Sequence, residues 1–288
     1  MGNDPVRVTL WGVRGSVPVP GAAAAGFGGN TSCVQVTAVD GTQVILDAGT
    51  GIRALGLALA GRSRTVHILL THLHLDHIQG LMFFAPLFDP AMEVTIWGPT
   101  SEQGPLRERL GRYLSHPLSP LEIRDLPARV RFEDASRPPW RIGDVQVKAA
   151  LVAHRGPTLG YRLTAEALSV CYLPDHEPGL GADLGTAEPD WISGYALAKD
   201  ASLLIHDCQY DDVEYGARRG WGHSRLTDAL TFALRSGCGQ VLLTHHDPDH
   251  DDSRLDEIGA EAAEQWTRLG GDGTPRLAHE GQVIQVGL

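Results

Sequence analysis

Sheets covered by helices, in an α/β or α+β arrangement, are what this sequence predicts, and three observations carry the expectation. Short runs rich in Val, Ile and Leu recur between Gly, Pro and Asp. Apolar residues return with helical spacing in two segments near the C-terminus. No linker, low-complexity tract or solenoid-period repeat interrupts the 288 residues. The expected strands are Val6–Trp11, Cys33–Val39, Gln43–Leu46, Val66–Leu70, Val94–Trp97, Val145–Val152, Leu159–Leu163, Ser169–Leu173, Leu203–Ile205, Val241–Leu243 and Val283–Val286. One helix is expected from a Ser224 cap to Ser236, with Leu226, Leu230 and Leu234 on one face and Gly237 as its stop signal. A second starts from a Ser253 cap, aligns Leu255, Ile258, Ala262, Trp266 and Leu269, and ends at Gly270–Gly271. Pro18–Gly29 reads as a surface loop. Residues 100–141 read as an Arg-rich insertion of mixed structure in a single domain covering 1–288.

Composition narrows the function classes. Twenty-four Lys and Arg against 35 Asp and Glu give a net charge of −11, which counts against a broad electrostatic grip on nucleic acid. No apolar run approaches the roughly 18 residues of a membrane helix. The start, Met1–Gly12, lacks a basic segment followed by an apolar run, so no secretory leader is expected. Cys33, Cys171, Cys208 and Cys238 are widely spaced with no CxxC pair, which excludes a cysteine zinc knuckle and favours a reduced, cytoplasmic chain. The unusual figure is 13 histidines.

Their placement is the strongest signal. Thr71-His72-Leu73-His74-Leu75-Asp76-His77 directly follows the apolar strand His67-Ile68-Leu69-Leu70. Three imidazoles and a carboxylate within six residues offer N and O donors suited to zinc or similar metals. His72 and His74 can converge on one ion from the loop, and Asp76 and His77, opening the next helix, can face a second. Left unpaired in a core, such groups would cost a few kcal/mol each. Further along, His154, Asp175 and His245 each follow an apolar strand, so their side chains can emerge at one shared sheet edge.

The His72–His77 run resembles the HxHxDH motif of metallo-β-lactamase fold hydrolases, and the resemblance extends along nearly the whole chain. Ile45-Leu46-Asp47-Ala48-Gly49-Thr50-Gly51 is similar to the family's strand-plus-aspartate turn. His154, before Gly160-Tyr161-Arg162, matches its third metal histidine, Asp175 its bridging aspartate, and Thr244-His245 its last histidine. The resemblance implies an α+β fold, an αββα sandwich of two mixed sheets with helices on the outer faces. It also implies two divalent metal ions, zinc first, with manganese or iron as alternatives. One takes His72, His74 and His154, the other Asp76, His77 and His245, and Asp175 bridges. His246 is the rival of His245 for the last position, and His176 is expected to form a pocket wall.

Two later segments narrow the branch. Ile205-His206-Asp207-Cys208-Gln209-Tyr210 and Trp221-Gly222-His223-Ser224 resemble the paired segments of ribonuclease Z and its phosphodiesterase relatives. In that group the second segment's histidine, here His223, assists the leaving oxygen or holds the phosphoryl group. Arg218 and Arg219 lie just upstream and can add positive charge there. The opening Trp11-Gly12-Val13-Arg14-Gly15-Ser16 and Gly28-Gly29-Asn30-Thr31-Ser32-Cys33 is similar to a bacterial subgroup, which makes Arg14, Ser16 and Asn30 candidate substrate contacts. Ribonuclease Z carries a long tRNA-gripping arm between its third histidine and bridging aspartate. Here that interval, from His154 to Asp175, is only 21 residues and holds one strand pair. The longer insertion, with Arg107, Arg109, Arg112, Arg124, Arg129 and Arg131, can instead cover the mouth of the site and select a small phosphodiester, and equally can serve an oligomer contact such as a homodimer or form a solvated face.

The expectation is therefore a dinuclear metal hydrolase that cleaves a cyclic nucleotide or other small phosphodiester by metal-activated hydroxide. Asp76 would orient the nucleophile and His223 would aid the leaving group. A nuclease acting on short RNA or DNA, a lactone or thioester hydrolase, and a non-catalytic ligand-binding member are the alternatives. No membrane partner is expected.

Overall fold

Alternation of apolar side chains decides how the strands stack, because neighbouring residues of a strand point to opposite faces. In the computed structural model, which describes residues 6–61 and 63–287, the first half of the chain forms β1 (Val6–Gly12), β2 (Cys33–Thr37), β3 (Gln43–Leu46), α1 (Ile52–Leu59), β4 (Thr65–Leu69), α2 (Leu75–Ile78), β5 (Glu93–Gly98), α3 (Leu106–Tyr113) and β6 (Arg129–Asp134). There follow β7 (Trp140–Ile142), β8 (Val145–Leu151), β9 (Leu159–Ala165), β10 (Leu168–Leu173), α4 (Tyr195–Ala198), β11 (Leu203–Asp207), α5 (Tyr215–Arg218), α6 (Leu226–Ser236), β12 (Gln240–Thr244), α7 (Asp252–Arg268), β13 (Arg276–Leu277) and β14 (Val283–Val286).

Two mixed seven-stranded sheets result, ordered β14-β1-β2-β3-β4-β5-β6 and β13-β12-β11-β10-β9-β8-β7. Val44, Leu46 and Leu69 of the first sheet meet Tyr161, Tyr172, Ile205 and other residues of the second in a shared inner core. The alternate residues Ile45, Val66 and Ile68 pack outward under α1, α2 and α3. Cys171, Leu204 and Leu243 do the same under α4, α6 and α7. This is the expected αββα, α+β layering. Trp97 of β5 stacks on Trp140 of β7 (centroids 5.0 Å apart) and ties the two sheets together where the chain passes between them.

The strands that matter for function run parallel. β3 pairs with β4, and β10, β11 and β12 pair in turn. Their C-terminal ends therefore open at the same edge of the sandwich, the usual place for a site in such sheets.

The expected strands form, with ends moved by a residue or two. Two strands of the 100–141 segment were not legible. β6 alternates charge with apolar residues, Arg129-Val130-Arg131-Phe132-Glu133-Asp134, and lies at a sheet edge, where a charged face is tolerated. β7 has only three residues.

Both helix caps differ from expectation. Ser224 does not cap α6: its hydroxyl donates to the His176 carbonyl (2.6 Å), and Arg225 occupies the cap position without a side-chain bond. Gly237 does end that helix in the left-handed conformation (φ 66°). For α7 the cap is Asp251, which accepts from the Arg254 amide (2.9 Å), not Ser253. The stretch Asp247–Asp252 that leads into α7 is packed against the rest of the fold. Asp247 and His250 are buried, and Asp252 accepts from the amides of Gly26 and Phe27.

Candidate metal centre

The loop after β4 and the first turn of α2 bring His72, His74, Asp76 and His77 to the sheet edge. The ends of β10 and β12 bring Asp175 and His245, and the loop after β8 brings His154. Their donor atoms fall into two groups. In one, single atoms of His72, His74, His154 and Asp175 all lie within 4.8 Å of one another; in the other, those of Asp76, His77 and His245 do. Asp175 divides its oxygens between them. Oδ2 faces His72 Nε2 (3.7 Å) and His154 Nε2 (3.5 Å). Oδ1 faces His77 Nε2 (3.0 Å) and His245 Nε2 (3.3 Å). Asp76 Oδ2 closes the second group, 3.3 Å from both His77 and His245.

These groups fit cations better than they fit one another. His72 Nε2, His77 Nε2 and Asp175 Oδ1 are buried and have no hydrogen-bond partner among the described residues. Buried polar atoms are rarely left so unless something else satisfies them. Imidazole nitrogens and carboxylate oxygens clustered this tightly have the donor chemistry of zinc, manganese or iron.

His77, His154 and His245 are each oriented by a bond at the other nitrogen, which fixes the tautomer. His77 Nδ1–H donates to Asp47 (2.8 Å), which also accepts from the Thr71 amide, the Thr71 hydroxyl and the Tyr172 hydroxyl. His154 Nδ1–H donates to the Gly222 carbonyl (2.8 Å), and His245 Nδ1–H to Gln209 Oε1 (3.2 Å). The backbone is shaped around these rings. A Cβ at Gly222 (φ 97°) would lie 2.3 Å from His154 Nδ1, and one at Gly15 would lie 2.4 Å from His245 Nδ1. His245 itself takes a left-handed backbone (φ 64°), the strained turn that swings its ring inward at the end of β12.

His223 stands beside the two groups. Its ring stacks on that of His245 (4.9 Å, 16°) and meets His154 edge-on (4.9 Å). Nδ1–H donates to Asp207 Oδ2 (2.8 Å), leaving Nε2 as the free nitrogen. Asp207, buried at the end of β11, is a functional residue the sequence reading missed, although it lies in a segment that reading had singled out. Its oxygens also accept from the amides of His176, Gln209 and Ser224. Glu177 was missed as well. It is buried and accepts from the Tyr215 hydroxyl and from the Gly220 and Gly222 amides (2.7 and 2.8 Å), clamping the loop that carries His223 and holds His154. A Glu after an Asp and a His gives no sequence signal for this role.

Charge follows the same division. Burial works to raise the carboxyls of Asp76 and Asp175, but the imidazoles around them outweigh it and hold both below the usual range. Burial also opposes the protonation of His245, yet Asp175 and Asp76 push it up to about 9. His72, His74 and His154 are lowered by burial, which keeps their donor nitrogens unprotonated near neutrality.

Several expected substrate contacts turn elsewhere. Arg14 is fully buried and donates to the carbonyls of Gly28, Asp247 and His250, tying loops together instead of reaching the cleft. Asn30 bonds Glu280 through Nδ2 (2.9 Å) and its amide. His246 points away from the donor groups, bonding the Ala278 carbonyl (2.8 Å) beside Phe27; burial pushes it down to about 3. His176 is buried against Phe232 and donates from Nδ1 to His206 Nε2 (2.9 Å), since His206 Nδ1–H is spent on the Asp207 carbonyl, so it forms no open pocket wall. Ser16 does reach the site, but by its backbone: the amide donates to Asp76 Oδ2 (2.8 Å). Arg218 lies over the Tyr210 ring (4.9 Å), and that ring meets His223 edge-on (5.9 Å). Arg219 is exposed.

An αββα sandwich with paired His and Asp donor groups at the C-terminal edge of its sheets defines a metal-dependent hydrolase. The Beta-lactamase superfamily domain matches residues 42–246, and the chain belongs to that superfamily. It is 27% identical to "Ribonuclease Z" of Kineococcus radiotolerans, over 86% of this chain and 87% of that one. Among solved structures, the metallo-beta-lactamase fold protein YhfI from Bacillus subtilis covers 98% of this chain and 99% of its own, with 19% identity and a TM-score of 0.68. Human tRNase Z, short form, covers 98% and 100%, with 22% identity and a TM-score of 0.65. At these identities the two structures show the metallo-β-lactamase fold.

Proposed function

We propose that the protein is a metal-dependent phosphodiesterase whose substrate is a cyclic nucleotide or other small phosphodiester. The observation that carries the reading is the division of Asp175 between two donor groups, with the Asp207-held His223 stacked against one of them. His72, His74 and His154 would hold one cation, Asp76, His77 and His245 a second, and Asp175 both. Such ions, zinc by donor type, withdraw charge from phosphoryl oxygens and bring the pKa of water toward about 7.

The chain's own residues supply the rest. Asp76, steadied by the Ser16 amide, is placed to accept a hydrogen bond from the attacking water. His223 keeps its proton on Nδ1 through Asp207, so Nε2 is the atom that exchanges a proton with the reacting group. When His223 enters as the imidazolium, its Nε2–H gives the proton to the leaving oxygen while Nδ1–H stays on Asp207, and solvent water returns a proton to Nε2. The fixed carboxylate stabilises the imidazolium in the same way that a buried Asp does for other catalytic histidines.

Substrate size is argued from the β9–β10 hairpin. Only Glu166 and Ala167 separate the two strands, so the interval between His154 and Asp175 carries nothing that protrudes to grip a structured RNA. The net charge of −11 points the same way. A second reading, cleavage of short RNA, is favoured by the curated relative named ribonuclease Z, which matches this chain over nearly its full length. Free Cys33, Cys171, Cys208 and Cys238 suit a reducing cytoplasm. Among the described residues, no helix is long and apolar enough to cross a membrane.

The test is a substrate panel with zinc- or manganese-loaded protein: bis(p-nitrophenyl) phosphate, cyclic nucleotides, short oligonucleotides, a lactone and a thioester. Fastest turnover of the small diesters is expected. Preference for oligonucleotides would move the reading to a nuclease. Turnover of the lactone or thioester alone, or of nothing, would overturn it.

A further inference from the structure

Beside the donor groups lies an open cleft of about 440 Å³, with His72 and His74 in its wall. The apolar side chains of Leu73, Ile78, Tyr113 and Leu118 line part of it. Its charges are one-sided: among the described residues Arg109, Arg112 and Arg155 line it and no carboxylate does, although acids outnumber bases by 35 to 24 in the chain. An adjoining, larger cleft shares Pro99, Ser101 and Arg109, but there Arg107, Arg109 and Arg131 are matched by Glu102, Glu133 and Asp134. Of these two clefts, the one that touches the metal centre is therefore the one whose positive charge is not matched by lining carboxylates.

The three arginines are not equivalent. Arg109 is buried and spends its donors on the Gly104 carbonyl (3.0 Å) and the Pro99 carbonyl, bracing the loop before α3. Arg112 is exposed and makes only long contacts to Gln103 (3.3 and 3.4 Å). Arg155, next to His154, uses Nε on the Gly220 carbonyl (3.1 Å), which anchors its guanidinium to the loop that also holds His154. Neither Arg112 nor Arg155 pairs with a carboxylate among the described residues, whereas other arginines do. Two cations without acidic partners, on a cleft with an apolar lining, suit a ligand that combines a planar ring with a second anionic group. Planar, multi-donor guanidinium is the side chain best matched to phosphate.

We propose that this cleft binds the nucleoside next to the scissile diester, and that Arg112 and Arg155 take a second phosphate carried by that nucleoside. The preferred substrate is then a nucleotide diester bearing an additional terminal phosphate, not a simple cyclic mononucleotide. The inference rests on the phosphodiesterase reading for its substrate, but its binding part can be measured separately.

The experiment uses metal-loaded protein and two chromogenic probes that differ only in the second group, the p-nitrophenyl esters of thymidine 5′-phosphate with and without a 3′-phosphate. The 3′-phosphate is expected to raise kcat/KM about 10-fold or more, mostly through KM, and the advantage should shrink as salt rises because both arginines are exposed. In Arg112→Gln/Arg155→Gln the advantage should fall to within about 2-fold. Calorimetric binding of thymidine 3′,5′-bisphosphate against thymidine 5′-phosphate should show the same ratio and the same loss in the variant. Equal kcat/KM for the two probes, or equal affinities for the two nucleotides, would overturn the inference even if both esters are hydrolysed. If neither ester nor bis(p-nitrophenyl) phosphate is hydrolysed, the phosphodiesterase reading fails, and the binding ratio alone then decides whether the cleft takes a second phosphate.

Discussion

The two walls of the metal centre are built in opposite ways. One is local: a single loop and helix turn after β4 supplies His72, His74, Asp76 and His77, and one carboxylate, Asp47 at the end of the neighbouring strand, orients it. The other is assembled over long range. His154, Asp175, His223 and His245 come from four separate stretches, and the three imidazoles are held by Glu177 (through Gly222), Asp207 and Gln209, none of which is among the proposed ligands. A wall drawn from one loop needs little support. A wall drawn from several places must be fixed by buried carboxylates, each collecting several backbone amides. The assembled wall is therefore where remote substitutions should hurt most.

The largest such effect is expected at the His223–Asp207 pair. His223→Ala should lower kcat by about 10²-fold or more with metal content unchanged, since the proposed role is proton transfer. Asp207→Asn should also lower kcat, because an amide no longer fixes the proton on Nδ1. Normal turnover in His223→Ala would show that the pair is structural and would favour an ester chemistry that needs no such acid.

A smaller effect is expected from Glu177→Gln. The substitution keeps the volume but replaces a carboxylate that accepts from two amides and a hydroxyl. Metal affinity should fall by about 10-fold as the His154 support loosens, while an equivalent exposed change, Glu264→Gln, should leave it unchanged. Equal affinities in the two variants would mean that the long-range wall is rigid without this clamp.

This division also explains what the sequence could reveal. The local wall was legible because its donors stand within six residues of one another after an apolar strand. The distant ligand candidates were legible because each follows such a strand and the family pattern places it. The supporting residues were not legible. Asp207 and Glu177 act by accepting backbone amides, and backbone amides leave no mark in a sequence. The same blindness misplaced Arg14, Asn30 and His246. Near the site in sequence or motif, they are in fact buried against carbonyls or Glu280, a fate that depends on loops meeting from distant parts of the chain. In the fold, β6 escaped notice because edge strands can carry charge. The two helix caps were misread because Ser224 and Ser253 lie one or two positions from the residues that occupy the cap positions.

The smallest expected effect concerns the buried imidazoles outside the donor groups. Burial lowers His206 to about 4 and His246 to about 3, against about 6.5 in an unfolded chain. As pH falls below about 6.5 the unfolded state binds protons that the folded state refuses, so stability is full near neutrality and declines toward pH 4. Each such group contributes at most about 1.4 kcal/mol per pH unit. The raised value of His245 acts in a different window, removing stability as pH climbs from about 6.5 toward about 9. His246→Gln, which can still donate to the Ala278 carbonyl, should flatten the acid limb by about one proton in urea unfolding at pH 7, 6 and 5. An unchanged slope would mean that His246 is protonated in the folded protein.

The central claim, that Asp175 joins two cation sites, is tested most directly by counting metal. Equilibrium dialysis followed by elemental analysis of the wild-type protein and of Asp175→Ala should give two divalent ions per chain in the first and less than one tightly held ion in the second. One ion in the wild type, or two retained in Asp175→Ala, would contradict it.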